Sequence, residues 1–567
     1  MRIAKLISVL AVAALLSSYL CAQTGTSSLR GTITDPKGAV IPGATVTLSN
    51  SQTGYTRTTK TNSQGLYQFL EVLPATYKLS AAASGFATLA QDKVTLMVNT
   101  PATLDLQMQV AAQAVTVEVT GSAPLVNTTD ATLGHAFNNA QIQNLPFEGR
   151  DPTGILSLQA GVTYTGNNEQ GMPSSEDSRS GSVAGARSDQ ANIVIDGVDN
   201  NDPVLGQAFQ GALRPTLDSL QEFRVTTTGG NADEGRSSGA QVVMVTKSGT
   251  NDFHGTLYEY HRPTFTTAND WFVKNAQLGS GQPNIPGKLI RNTFGGSLGG
   301  PIKKDRLFFF ATYEGQRLRE NTSIVRTVPS ADLRNGFISY ISDTGSVVRL
   351  SPTQIASMDP TCGTVTASHP INTCPLGPGP NSAVMQIFKQ YPMPNTDIVG
   401  DGFNFRGYQF TAGAPAKRDT YIVKLDYNLT QNGNHRLFLR GNLQNDSVAG
   451  LGNDGPEFPG DPPNLTYLNN SKGIAAGYTA ILRDNLINNF RYGFIREGFD
   501  NVGLQNSPFV NFRGLNDLNG QTPTSRVIVP MQNFVDDVTW TKGRHTFQFG
   551  GNLRIINDER VGNTDSY

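Results

Sequence analysis

Three aspartates stand three residues apart, at Asp196, Asp199 and Asp202, inside the run Ala191–Pro203. Carboxylates so placed raise the question of a cation. An EF-hand loop needs its oxygen ligands at fixed alternate positions and closes on a Glu; this run lacks that spacing and that Glu. It reads instead as a strand running into an acidic turn, solvated or touching a neighbouring domain, with weak calcium binding as the lesser alternative. Gly235-Arg236-Ser237-Ser238-Gly239 fits the G-x-S-x-G pattern. A nucleophile elbow needs a strand before it and a helix after it, and here the β-prone run Gln241–Val245 follows. The histidines, His135, His254, His261, His369, His435 and His545, are scattered and show no zinc-type spacing. No catalytic residue, metal site or cofactor is implied.

Two further features bear on chemistry. Cys362 and Cys374 share a Pro-rich stretch, and in an exported chain such a pair is expected to close a disulfide. Val115-Thr116-Val117-Glu118-Val119 is a short β-prone run just after the small-residue stretch Ala111–Ala114. A segment of this kind can add itself to the edge of a partner's sheet through main-chain hydrogen bonds. By pattern alone it serves equally well as the last strand of the domain before it.

The elements that would position these residues are strands. Charged residues make up only 16% of the 567-residue chain, hydrophobic residues 38%, and there are 59 Gly and 31 Pro. That balance suits strands and turns better than a helical enzyme. The net charge of −1, with no basic cluster, gives no reason to expect nucleic acid as a partner. Residues 1–22 read as a signal peptide. Arg2 and Lys5 precede the apolar run Leu6–Leu16, which is too short to span a membrane, and cleavage is expected after Ala22. Tyr19-Leu20 before Cys21 argues against a lipoprotein anchor.

Residues 27–110 read as a β-sandwich, with short strand-like runs separated by turn chemistry such as Asp35-Pro36-Lys37-Gly38 and Asn62-Ser63-Gln64-Gly65. Tyr55, Tyr67 and Tyr77 could stack on a sugar, but at strand positions a core role is the stronger reading. Residues 111–129 are a linker and 130–250 a polar, Gly-rich region with short apolar runs. From 251 to 567 the strands alternate. Tyr421, Val423, Leu425, Tyr427 and Leu429 share one face, and Lys424, Asp426 and Asn428 the other. Phe547, Phe549, Leu553 and Ile555 oppose Gln548, Asn552 and Arg554, and Phe490, Tyr492 and Phe494 oppose Asn489 and Arg491.

Connections in this part are short at Gly300–Asp305, Thr430–Asn434, Arg483–Leu486 and Thr541–Gly543. They are long at Arg319–Lys417, Asp446–Asn470 and Gly498–Met531. Lipid outside, water inside, short turns at one end and long loops at the other are the signature of an outer-membrane barrel. About nine strands are expected, fewer than a closed barrel of this kind uses, so the chain is expected to be the N-terminal part of a longer protein.

The motifs Gly31-Thr32-Ile33-Thr34-Asp35, Ile41-Pro42-Gly43-Ala44-Thr45-Val46 and Gly65-Leu66-Tyr67-Gln68-Phe69 resemble the carboxypeptidase regulatory-like, transthyretin-like domain, a fold grouped with carbohydrate-binding sandwiches. The Asp196-Gly197-Val198-Asp199 turn and Val245-Thr246-Lys247-Ser248-Gly249-Thr250-Asn251 resemble the plug domain of TonB-dependent receptors, nearest to the Oar-like ones. The resemblance implies a mainly β protein: a sandwich, an α/β plug and the N-terminal part of a transmembrane antiparallel barrel in a Gram-negative-type outer membrane. It implies that Val115–Val119 acts as a TonB box for a TonB-type periplasmic energy-transducing protein, outer-membrane lipid being the other partner. The activity implied is energised import of a solute of unknown identity, carbohydrate-like or siderophore-like among the candidates. The alternative is a passive surface adhesin that binds glycans without transport.

Overall fold

A computed structural model describes residues 25–110, 116–119, 127, 131–145, 150, 152–164, 181–186, 190–204, 211–230, 238–269, 271–279, 281–358, 377–430, 432–450, 454–503, 511–518, 522, 524–543 and 545–563. The expected leader, Val115, Cys362, Cys374 and residues 235–237 lie outside the described residues.

The first unit is the sandwich. Its strands are β1 (Ser27–Thr34), β2 (Thr45–Asn50), β3 (Tyr55–Lys60), β4 (Leu66–Val72), β5 (Ala75–Ala82), β6 (Thr88–Leu96), and the short β7 (Ala102–Thr103) and β8 (Leu106–Gln107). One sheet runs β4-β1-β7, with β8 also on β1; the other runs β3-β2-β5-β6-β9, where β9 is Thr116–Val119. Alternate residues point inward: Leu29 and Ile33 of β1, Val46 and Leu48 of β2 and Phe69 of β4 are fully buried. The Asp35–Gly38 turn closes as expected, the Asp35 carboxylate accepting from the N–H of Lys37 and Ala39 at 2.9 and 2.8 Å. Tyr55, Tyr67 and Tyr77 are buried, and the Tyr67 and Tyr77 hydroxyls donate to the carbonyls of Leu104 and Leu73. All three are core residues rather than a sugar platform.

β9 departs from the linker expectation. It runs parallel to β6, with Leu89 opposite Val117 and Gln91 opposite Val119. An edge strand offers a row of unpaired N–H and C=O groups, and a β-prone segment close in sequence is the nearest chain able to satisfy them.

The second unit is a mixed sheet, β10 (Leu133–Asn138), β15 (Leu220–Thr228), β16 (Gln241–Thr246), β13 (Asn192–Ile195) and β14 (Val198–Asp199) in spatial order. The hairpin β11 (Val162–Tyr164) and β12 (Gly181–Val183) lies beside it. Its core gathers Phe137, Ile142, Ile155, Ile193, Ile195, Phe223, Val225, Val242 and Met244.

The third unit is one large antiparallel sheet. It contains β17 (His254–Arg262), β18 (Leu289–Lys303), β19 (Leu307–Pro329), β22 (Phe405–Asn428), β23 (His435–Ala449), β24 (Leu465–Asn469), β25 (Lys472–Arg483), β26 (Leu486–Gly503), β27 (Thr524–Lys542), β28 (His545–Ile556) and β29 (Glu559–Asn563). β24 and β25 both pair with β23 and β26, and β28 and β29 both pair with β27. Each couple is one interrupted strand, so the eleven strands occupy nine positions among the described residues. No helix among the described residues is long and apolar enough to cross a membrane.

The wall is inverted relative to a soluble protein. Val423, Leu439, Ile474, Phe549, Leu553 and Ile555 are exposed, while Lys424, Arg440, Asn442, Asn489, Arg491 and Asp537 are buried. Apolar side chains outward and charges inward is the arrangement that lipid around a plugged, polar lumen demands.

The long connections are shorter than expected. β19 and β22 stay paired from Leu307↔Tyr427 out to Pro329↔Phe405, so the expected loop from Arg319 shrinks to residues 330–404. The ladder outruns the lipid because backbone pairing does not depend on which solvent lies outside. That loop also carries structure, with the hairpin β20 (Ile338–Ile341) and β21 (Val347–Leu350) and helices Pro352–Met358 and Ser382–Phe388. Leu333, Phe388 and Tyr391 pack with Phe458 and Leu515 into a cap at the long-loop end.

Candidate functional site at the plug–barrel contact

The acidic turn is a hairpin tip. β13 and β14 are joined by Asp196 and Gly197, with φ of 51° and 80°. A two-residue loop with positive φ at both positions matches the twist of its strands, and Asp-Gly is a favoured sequence for it. The tip of this hairpin meets the wall of the barrel.

Asp196 is 6% exposed. Its carboxylate accepts from the N–H and hydroxyl of Thr246 on β16 at 2.9 and 2.7 Å. Two barrel cations complete the cage: Lys424 Nζ on β22 and Arg440 Nη1 on β23, each 3.5 Å away. Burial pushes the Asp196 pKa up, but Lys424, Arg440 and the Thr246 hydrogen bonds outweigh it, so the carboxyl is held below its ordinary value. Lys424 also donates to the Thr246 carbonyl at 3.1 Å.

Asp199 faces a different part of the wall. Its carboxylate lies 3.0 Å from Arg554 Nη1 on β28, and its N–H donates to Asn533 Oδ1 on β27 at 3.1 Å. Between the two aspartates, Val198 packs on bare backbone: a Cβ on Gly493 would collide with Val198 Cγ1. Asp202 accepts from the Val204 N–H within its own turn. The three aspartates therefore do not converge on one point, and no group of metal-ligating side chains occurs among the described residues.

Other contacts reinforce the seat. Arg214 binds Asp446 through two hydrogen bonds of 2.8 and 2.9 Å and donates to Thr420. Arg150 lies over the Tyr260 ring at 4.1 Å and 3.8 Å from Glu314. Asp218 accepts from the Thr256 hydroxyl of β17 at 2.8 Å and pairs with Lys247. Burial alone would raise its pKa, yet hydrogen bonds from Ser297 and Thr256 and the Lys247 charge hold it below the ordinary value.

Lys424, Arg491 and Arg554 already fall on the inward face by sequence alternation. Arg440 carries the same signal, unread above, in the alternation of Leu437, Leu439 and Leu443 against Arg440 and Asn442. Arg214 and Arg150, outside the strands, carry none.

A family model described as an outer membrane beta barrel domain matches residues 245–567. The chain belongs to the outer-membrane β-barrel family. A second model, the carboxypeptidase regulatory-like domain, matches residues 28–109. The chain is 26% identical over 313 residues to the TonB-dependent transporter Oar of Myxococcus xanthus, covering 54% of this chain and 28% of that protein. Two solved structures also align with this outer-membrane barrel protein. The outer-membrane transporter YddB of Escherichia coli has a TM-score of 0.45 at 12% identity, covering 75% of this chain and 48% of its own. A variant of the ferric enterobactin receptor PfeA of Pseudomonas aeruginosa has a TM-score of 0.42 at 12% identity, covering 74% and 48%. The chain thus spans about half of each solved relative and less of the curated one.

Proposed function

We propose that the protein is an outer-membrane receptor that binds a solute and mediates its energised import past a plug seated in the barrel. The observation that carries this reading is the Asp196 cage, in which a plug carboxylate is shared by barrel cations Lys424 and Arg440. A permanent stopper would be served better by apolar packing. A seat made of ion pairs can be exchanged for water when the plug moves. The likeness to a TonB-dependent transporter supports a TonB-type periplasmic partner, and Thr116–Val119 with Val115 is the proposed point of engagement. No residue of the chain is assigned a catalytic role and no cofactor is needed.

The test is depletion from the medium. Cells producing the protein are offered ferric siderophores, cobalamin and oligosaccharides, with and without collapse of the proton-motive force. The expected result is that one class is taken up only by energised cells. Surface binding that persists unchanged after collapse, with no uptake, would instead establish the adhesin alternative.

A further inference from the structure

The sandwich sits against the short-turn end of the barrel, the end that faces the periplasm. Leu70 is buried with Ile481 and Ile487, which flank the β25–β26 turn. Arg436, just after the β22–β23 turn, donates to the Glu71 carbonyl at 2.9 Å. At the β18–β19 turn, Asp305 lies against Gly54. Three successive turns of the wall thus touch one side of the sandwich.

A cavity of ≈ 220 Å³ lies between the units, walled by Tyr55 and Tyr77 of the sandwich, Asp196 and Thr246 of the plug, and Lys424 and Arg491 of the barrel. It places the sandwich directly below the plug seat. A solute that passed the plug on this side would meet the sandwich next.

We propose that the N-terminal sandwich is a second, displaceable stopper that closes the periplasmic end of the barrel and comes away as a folded unit. Two observations favour docking over fusion. The sandwich core holds residues from Leu29 to Met108 and none from the plug or barrel, so the core stays whole on separation. The junction, by contrast, encloses the cavity and brings polar side chains such as Asn50, Arg436 and Arg491 to its wall, so it is packed less completely than the sandwich core. Separation gives up the apolar contacts of Leu70 with Ile481 and Ile487 and of Val98 with Val243 and Val245, and leaves the sandwich core intact. The role as a stopper rests on the import reading, whereas displacement of the unit is tested without any solute.

The experiment uses the full chain in detergent, with Cys21, Cys362 and Cys374 replaced by Ser. One reporter is Leu70→Cys at the junction; the other is Leu79→Cys in the sandwich core, which is 1% exposed. Maleimide labelling is followed at rising sub-denaturing urea. Leu70→Cys is expected to label about tenfold or more faster than Leu79→Cys. Arg436→Ala and Ile487→Asp, each on the barrel side, are expected to accelerate Leu70→Cys further while leaving Leu79→Cys unchanged. Equal rates at the two sites would mean the sandwich opens only by unfolding and would overturn the proposal. So would a Leu70→Cys rate that neither barrel substitution changes.

Discussion

Asp199 on the plug hairpin and Arg554 on β28 form an ion pair of 3.0 Å although 355 positions separate them, and neither is more than 15% exposed at its side chain. The plug is therefore tied to a part of the wall far from the Lys424–Arg440 cage.

Removing Arg554 takes away the cation while Asp199 keeps its hydrogen bonds from Asn201 at 2.9 and 3.0 Å, so the cost is expected to fall below the ~3–5 kcal/mol of a buried charge left wholly unpaired. Arg554→Ala is expected to loosen the hairpin and raise protease cleavage within 190–204. The swap Asp199→Arg with Arg554→Asp is expected to recover part of the protection. Unchanged proteolysis in Arg554→Ala would mean the pair is incidental.

Gly493 is where the wall admits Val198. Gly493→Ala is expected to cost about 1–3 kcal/mol through overpacking, since the new methyl would run into Val198 Cγ1. Adding Val198→Ala should relieve most of it. Denaturant midpoints of the three proteins give the comparison, and an additive double variant would reject the contact.

Glu222 on β15 accepts from the Val98 N–H at 2.5 Å, linking plug to sandwich. Burial pushes its pKa up to about 7 from an ordinary 4.5, the Val98 hydrogen bond opposing this. Between those values the docked state holds a proton that an undocked one would release. Docking is therefore firmest below about pH 4.5 and weakens as pH rises to about 7. Protection of the Val98 amide from exchange, corrected for intrinsic rate, is expected to drop by about tenfold or more between those limits. In Glu222→Gln the profile should be flat. A slope that survives this change would place the titrating group elsewhere.

Val117→Pro removes a backbone donor and fixes φ, which an added strand tolerates poorly. If residues 115–119 engage a TonB-type partner, energised uptake should collapse while surface binding of the same solute persists. Because Val117 lies opposite Leu89 on β6, the same variant should also loosen the sandwich edge, read as faster amide exchange in Thr88–Leu96. Loosened exchange with normal uptake would leave β9 as a sheet strand only.

Cys362 and Cys374 are expected to be linked in protein taken from the cell envelope. Mass spectrometry of non-reduced peptides decides it, two freely alkylated thiols being the opposing result.

The sequence by itself determined the classes of element and which way their faces point. Period-two alternation put Tyr421 and Val423 on one side and Lys424 on the other, and the structure has the first two exposed and Lys424 buried. Asp-Gly marked a turn at residues 196 and 197 because only a few residue types accept positive φ. Such signals are local: a side chain's direction and a turn's backbone are fixed within a few residues. Which groups meet across the lumen is set by the curvature and register of the whole wall. Hence the pairing of Asp199 with Arg554, the Arg214 seat on Asp446 and the contact of Leu70 with Ile481 had no sequence signal. Only the tertiary structure decided them. The same holds for β9, whose pattern fitted a free segment and an edge strand alike until β6 supplied the neighbouring ladder.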